Sequence, residues 1–165
     1  MMVRPEKAGD EAAIAAITIA AFAGKSYSNQ TEHLIVDRLR RAGALHISLV
    51  AMDSEEIIGH IAFSQVTLSN GDEGWFGLGP LSVAPSWQRQ GFGRALVKAG
   101  LEKLTEQEAK GCCLLGSPDY YGAFGFVNTP DLVLPEVPPQ YFQVLALSGA
   151  IPCATVAFHA GFYGE

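Results

Sequence analysis

The chain of 165 residues is short of charge, and most of all of positive charge in its later part. Charged residues make up 17% of it, against about 25% in an average domain. The last basic residue is Lys110; beyond it come Asp119, Asp131, Glu136 and Glu165 but no Lys or Arg. A net charge of −6 with no dominant basic patch argues against a general nucleic-acid binder. Cysteine is scarce too. Cys112 and Cys113 are adjacent and Cys153 is odd, so there is no disulfide framework and no zinc spacing. A reducing, cytoplasmic setting fits that usage. Long apolar runs are missing as well. Residues 12–24 fall short of the roughly 20 that a membrane span needs. The charge-free stretch 137–164 is broken by Pro138, Pro139, Gly149, Pro152 and Gly161. Glu6, Asp10 and Glu11 stand where a secretory leader would be basic.

What is present is apolar and well punctuated. Hydrophobic residues are 48% of the chain, enough for one domain with its own core and too many for disorder. Strand-like and helix-like segments alternate. Val3-Arg4 reads as a short strand ended by Pro5. Asp10 precedes a helix with Ile14, Ile17 and Ala21 on one face. Asn29 and Glu32 have capping-box spacing and open a second helix, with Leu34, Ile35 and Leu39 inward and Asp37, Arg38, Arg40 and Arg41 outward. Residues 45–52 and 57–68 read as an antiparallel strand pair, followed by a turn at Ser69-Asn70-Gly71-Asp72. Residues 75–83 form a further strand. Gly77, Gly79 and Pro80 within it predict a bulge or a splayed edge. A long helix spans about 91–109, with Val97, Leu101 and Leu104 on its apolar stripe and Gly111 as its stop. Short strands at 112–115 and 154–158 flank a short helix or turn at 119–124. The sum is an α/β domain with a mixed sheet.

The most informative segment is Leu81-Ser82-Val83-Ala84-Pro85-Ser86-Trp87-Gln88-Arg89-Gln90-Gly91-Phe92-Gly93-Arg94. A strand ends, a proline turn follows, and a Gly-x-Gly pair opens the long helix. Such a helix start offers unpaired N–H groups and the positive end of a dipole, which suits a phosphate. Arg89 and Arg94 add local positive charge. The run lacks the Gly-Lys-Ser/Thr of a P-loop and the third glycine of a dinucleotide fingerprint. Eleven of the eighteen glycines fall between Gly71 and Gly125, where backbone rather than side chain would hold a ligand.

As a whole this run resembles the GNAT family of acetyl-CoA-dependent N-acetyltransferases. Their signature is Gln/Arg-x-x-Gly-x-Gly/Ala after a Leu-x-Val-x-Pro strand end. Gln88, Gly91 and Gly93 fit it, as do Leu81, Val83 and Pro85. Val3-Arg4-Pro5 followed by Gly9-Asp10-Glu11-Ala12-Ala13-Ile14 looks like the family's first strand and helix. Tyr121-Gly122-Ala123-Phe124-Gly125-Phe126 looks like its Tyr-x-x-x-Gly-Phe motif, and residues 116–120 resemble a bacterial subgroup with a second aromatic tail. The resemblance implies one domain over 1–165, with a core of about 3–127 and a C-terminal extension of about 128–165. It implies a GNAT fold: a mixed, mostly antiparallel central sheet with a splayed strand pair and flanking helices. It implies acetyl-CoA as co-substrate, no metal, and an amine acceptor on a small molecule or peptide. It leaves no role for nucleic acid or membrane, and a homodimer is the default assembly. The residues implied at the cofactor are Leu81, Ser82 and Val83 along the pantetheine arm, and Gln88, Arg89, Gln90, Gly91, Phe92, Gly93 and Arg94 around the pyrophosphate.

The chemistry asks little of the protein. A neutral amine attacks a thioester and a thiolate leaves, which gains from a proton donor. The resemblance puts Tyr121 in that role, with Tyr120 as the alternative. No base is assigned. Residues 74–83 hold no acid, a departure from the family's Glu on that strand. Glu73, Asp119 and His60 are the nearby candidates, and a lone mid-strand His reads first as a packed residue. Cys112 and Cys113 read as buried filler, not nucleophiles. Two alternatives stay open: an acyl-CoA-binding regulatory module without turnover, and transfer of a longer acyl group into room left by Gly77 and Gly79. Residues 140–147 of the tail are expected to wall the acceptor pocket. The acceptor itself is not legible, although net acidity leans toward a cationic one.

Overall fold

The structure, a computed structural model, describes residues 2–164. In chain order the elements are β1 (Met2–Pro5), α1 (Glu11–Phe22), α2 (Glu32–Arg41), β2 (Ile47–Asp53), β3 (Glu56–Gln65), β4 (Thr67–Leu68), β5 (Trp75–Val83), α3 (Phe92–Glu106), β6 (Gly111–Leu115), α4 (Pro118–Gly122), β7 (Leu132–Val133), β8 (Phe142–Ala146) and β9 (Ala154–Ala157). Six of the strands form the main sheet in the order β1-β2-β3-β5-β6-β8. Its neighbours are antiparallel except β5 and β6, which run parallel. A small sheet, β4-β9-β7, is built largely from the C-terminal extension.

Alternation along β2 and β3 sorts the core into two faces. Leu49, Ile61 and Phe63 pack with Leu96, Val97 and Leu104 of α3. On the other face Val50 meets Ile14 of α1 and Val36 of α2. Each fully buried aliphatic or aromatic side chain here contributes about 1.5–3 kcal/mol of transfer free energy. At Gly100 α3 lies against the sheet with no room for a side chain, because a Cβ there would enter the ring of Phe63.

Three local expectations change. The strand expected over 57–68 ends at Gln65, and Thr67–Leu68 turns away to pair with β9 at Ala157 and Val156. Helix α2 is entered through Thr31 rather than a box of Asn29 and Glu32; Ser28 holds the Glu32 carboxylate at 2.7 Å instead. Its buried residues are Val36 and Leu39, while Leu34 is exposed. The stop of α3 is Glu108, with a left-handed φ of 62°, and not Gly111, which begins β6 against the ring of Trp75.

The irregularity expected in β5 is there. Ile61 opposes Leu81 and Phe63 opposes Leu78, so Gly79 and Pro80 of β5 face the single residue Ala62 of β3, and Gly79 has a φ of 145°. The parallel ladder with β6 covers only Trp75–Gly77 against Gly111–Cys113. From Leu78 onward β5 and β6 part, and the sheet opens into a splay.

The extension is a full member of the fold. β8 pairs with all of β6. A second apolar cluster joins Val66, Trp75, Leu132, Phe142 and Val156. The last turn, Ala160–Tyr163, returns to α2, where Arg38 donates to the Gly161 carbonyl at 3.2 Å.

Candidate active site

The splay leaves one strand edge free. Ala84 N–H donates to the Ile58 carbonyl at 2.8 Å, so the hydrogen-bonded positions of the β3–β5 ladder are 58 with 84 and 60 with 82. Leu81 and Val83 therefore turn their backbone groups the other way, into the opening. Ser82 is committed to β3, and its hydroxyl donates to Thr18 Oγ1 of α1 at 3.3 Å.

The loop after β5 supplies a row of donors. Among the described residues no backbone N–H from Arg89 to Arg94 has an acceptor. Arg89 and Gly91 take left-handed φ values of 63° and 91°, which turn the chain tightly into α3. Gln88 Nε2 donates to the Val83 carbonyl at 2.9 Å and ties loop to strand end. The Arg94 guanidinium lies over the Phe124 ring, 5.8 Å from its centroid. Convergent N–H groups at the start of a 15-residue helix, flanked by two arginines, form an anion-binding concavity.

Strand edge and loop share a cleft of about 610 Å³. Leu81 and Val83 form its floor; Gln88, Arg89, Gly91, Gly93 and Arg94 form one wall. A second wall comes from the end of α1 and the loop after it, through Ala21, Phe22, Lys25 and Tyr27. Seven of the residues expected at a cofactor thus come together. The side chains of Ser82, Gln90 and Phe92 turn elsewhere, while the Gln90 and Phe92 N–H groups stay in the donor row: Gln90 bonds back to the Ser86 carbonyl, and Phe92 is buried edge-to-face on Trp87. The α1 wall has no signature in the sequence. It is made by a loop that folds back on its own helix, with Gln30 Nε2 donating to the Phe22 carbonyl at 2.7 Å and Phe22 edge-to-face with Tyr27.

The two tyrosines of α4 are placed differently. Tyr120 lines the cleft, and its hydroxyl stands 2.9 Å from where a Cβ on Gly93 would be. Tyr121 is more deeply set, its ring over Gly116 and against Tyr120, Phe124 and Phe126. Burial first, then neighbouring Tyr120, pushes the Tyr121 phenol well above its ordinary range. Burial also raises Tyr120, against the pull of Arg94.

None of the candidate bases reaches the cleft. His60 is fully buried and contacts Ser48 Oγ through Nε2 at 2.8 Å; Ser48 in turn donates to Glu6 at 2.7 Å. Burial lowers its pKa to about 4. Glu73 and Asp119 are exposed and lie outside the lining. Cys112 and Cys113 are buried with thiols raised by burial, so they are packing. Among the described residues none from the extension lines this cleft; they contribute to the small sheet and to β8. The room expected at Gly77 is filled by the Phe158 ring, 2.7 Å from a Cβ built there. Among the described residues no three His, Cys, Asp or Glu side chains are grouped to hold a metal, and no helix is long and apolar enough to cross a membrane.

Comparison with known proteins agrees with this geometry. The model of the Acetyltransferase (GNAT) family matches residues 13–126. The uncharacterized N-acetyltransferase YhbS of Escherichia coli K12 is 38% identical over 109 residues, 66% of this chain. The match spans 65% of YhbS, just under two thirds of its length. A GNAT acetyltransferase of Brucella melitensis, solved in complex with acetyl-CoA, is 44% identical with a TM-score of 0.88, covering 98% of this chain and 97% of its own. The crystal structure of E. coli YhbS in complex with CoA has the same TM-score at 32% identity, covering 98% and 91%. The chain belongs to the GNAT family of acetyltransferases.

Proposed function

We propose that this protein transfers an acetyl group from acetyl-CoA directly to a primary amine. The observation that carries the reading is the pairing of a strand edge at Leu81 and Val83 that no neighbouring strand covers with the unbonded N–H row from Arg89 to Arg94. One is a ladder partner for the amides of a pantetheine arm, the other a seat for a pyrophosphate. The solved relatives that hold acetyl-CoA and CoA support that fit.

Bound there, acetyl-CoA supplies a thioester carbonyl carbon for the amine to attack. The N–C bond forms, the C–S bond breaks, and the sulfur leaves as a thiolate. In this reading the Tyr121 hydroxyl gives that thiolate its proton, and the proton shed by the amine restores the phenol. Burial disfavours the Tyr121 phenolate, so its proton moves to the thiolate as the amine's proton reaches the same oxygen. Tyr120 is the alternative donor because it lines the cleft. No side-chain base is needed. Among the described residues Lys25 and no Asp or Glu lines the cleft beside the pyrophosphate seat, and such surroundings favour the neutral amine over its ammonium form.

Calorimetry with acetyl-CoA, on the wild type and on Gly91→Glu, tests the binding half. The wild type should bind and the variant should not; equal binding by both would defeat it. Thiol release across a set of amines tests the transfer half. The absence of any carboxylate from the cleft lining among the described residues favours a second reading, an acyl-CoA-binding module without turnover. Intact acetyl-CoA binding with no release from any amine selects that one.

A further inference from the structure

The cleft has a charge of its own, opposite to that of the molecule. The chain carries a net −6, yet among the described residues the lining has Lys25, Arg89 and Arg94 and no Asp or Glu. Acids elsewhere on the surface are screened over about 8–10 Å at ordinary salt, so a bound molecule feels the lining first.

The three cations are not equivalent. Arg89 and Arg94 flank the N–H row at the start of α3, and the pyrophosphate seat proposed above accounts for both. Lys25 stands on the other wall, in the loop after α1. That loop is ordered by bonds of its own. Lys25 N–H donates to the Phe22 carbonyl at 3.2 Å, Ser28 N–H to the Lys25 carbonyl at 3.1 Å, and Ser28 Oγ engages Glu32. Glu32 is thereby drawn to Ser28, and among the described residues Lys25 takes part in no ion pair. Beside it Phe22 and Tyr27 present an aromatic edge.

We propose that the acceptor is a primary amine that also bears an anionic group, a carboxylate held by Lys25, with an apolar or aromatic body against Phe22 and Tyr27. The proposal rests on the acetyl-transfer reading and names its substrate class. It reverses the expectation drawn from net charge. With the pyrophosphate on Arg89 and Arg94, Lys25 is the lining cation left for the acceptor; a polyamine would set a second ammonium beside it with no acid in the described lining to pair with, whereas a carboxylate bound at Lys25 leaves the reacting amine free to reach the thioester.

Thiol release with matched acceptors tests it: phenylalanine against phenethylamine, leucine against isopentylamine, and spermidine as the polycation. The wild type should favour the amino acid of each pair by roughly five- to tenfold in kcat/KM, with spermidine poorest. Lys25→Gln should erase the preference through KM, and Lys25→Glu should reverse it, while either change lowers calorimetric affinity for acetyl-CoA less than Arg89→Gln does. Preference of the wild type for spermidine or for the carboxylate-free amines overturns the proposal. So does a Lys25→Glu variant that loses acetyl-CoA affinity and keeps its acceptor preference, for Lys25 would then serve the cofactor. Intact acetyl-CoA binding with no release from any amine defeats the transfer reading itself.

Discussion

The side-chain amide of Gln88 is bonded at 2.9 Å to the backbone carbonyl of Val83, five residues earlier. It clips the anion-binding loop to the strand edge that forms the floor of the cleft. Gln88→Ala should cost about 1 kcal/mol of preorganisation, seen as a roughly three- to tenfold weaker acetyl-CoA affinity with the fold unchanged. Calorimetry checks it; unchanged or tighter binding would show that the clip does not organise the site.

The tyrosines of α4 can be told apart by kinetics. If Tyr121 is the proton donor, Tyr121→Phe should lower kcat by about a hundredfold or more with acetyl-CoA affinity retained. Tyr120→Phe should then change kcat only a few-fold. The opposite ranking assigns the proton to Tyr120, the hydroxyl that lines the cleft.

Stability should fall with acid in a window set by His60. Its folded pKa is lowered to about 4 by burial, with Glu6 opposing and Arg40 assisting, while an unfolded His titrates near 6.5. The unfolded chain therefore binds the extra proton first as pH drops. The contribution of neutral His60 is complete above about pH 6.5 and is lost progressively toward pH 4, by up to about 3 kcal/mol. Asp10, held to about 2 by its bond from Arg4, loses its contribution only lower down. Urea unfolding between pH 4.5 and 7.5 reads the slope. His60→Gln should flatten it, and an equal slope in the variant would assign the window to other groups.

Gly100→Ala tests how closely α3 lies on the sheet. The new methyl would enter the space of the Phe63 ring, and overpacking of this kind costs about 1–3 kcal/mol. Thermal unfolding should shift down by roughly 3–10 °C. A neutral result would mean that α3 can ride up without cost.

The parts of the site made by one continuous segment were legible. Gly79 and Pro80 announced the bulge, and the run from Leu81 to Arg94 announced the strand edge, the turn and the helix start. What was hidden depends on side-chain bonds within loops and on partners far apart in sequence. The wall of Phe22, Lys25 and Tyr27 follows from a loop bond between Gln30 and Phe22, which no periodicity encodes. Helix α2 buries Val36 rather than Leu34 because Val36 meets Ile14 of α1 and Val50 of β2. Its own stripe could not say which face those partners would claim. The same limit cut the strand expected over 57–68, since Thr67 finds its partner at Ala157, ninety residues on.

The bond from Arg38 to the carbonyl of Gly161 joins residues 123 positions apart and fastens α2 to the last turn of the chain. Helix α2 in turn holds the far end of the loop that carries Lys25 and Tyr27. During synthesis α2 is therefore made early and fastened late. Until residue 161 has emerged, α2 lacks that bond, while the loop that walls the cleft already has its own, from Gln30 to Phe22 and from Ser28 to Glu32.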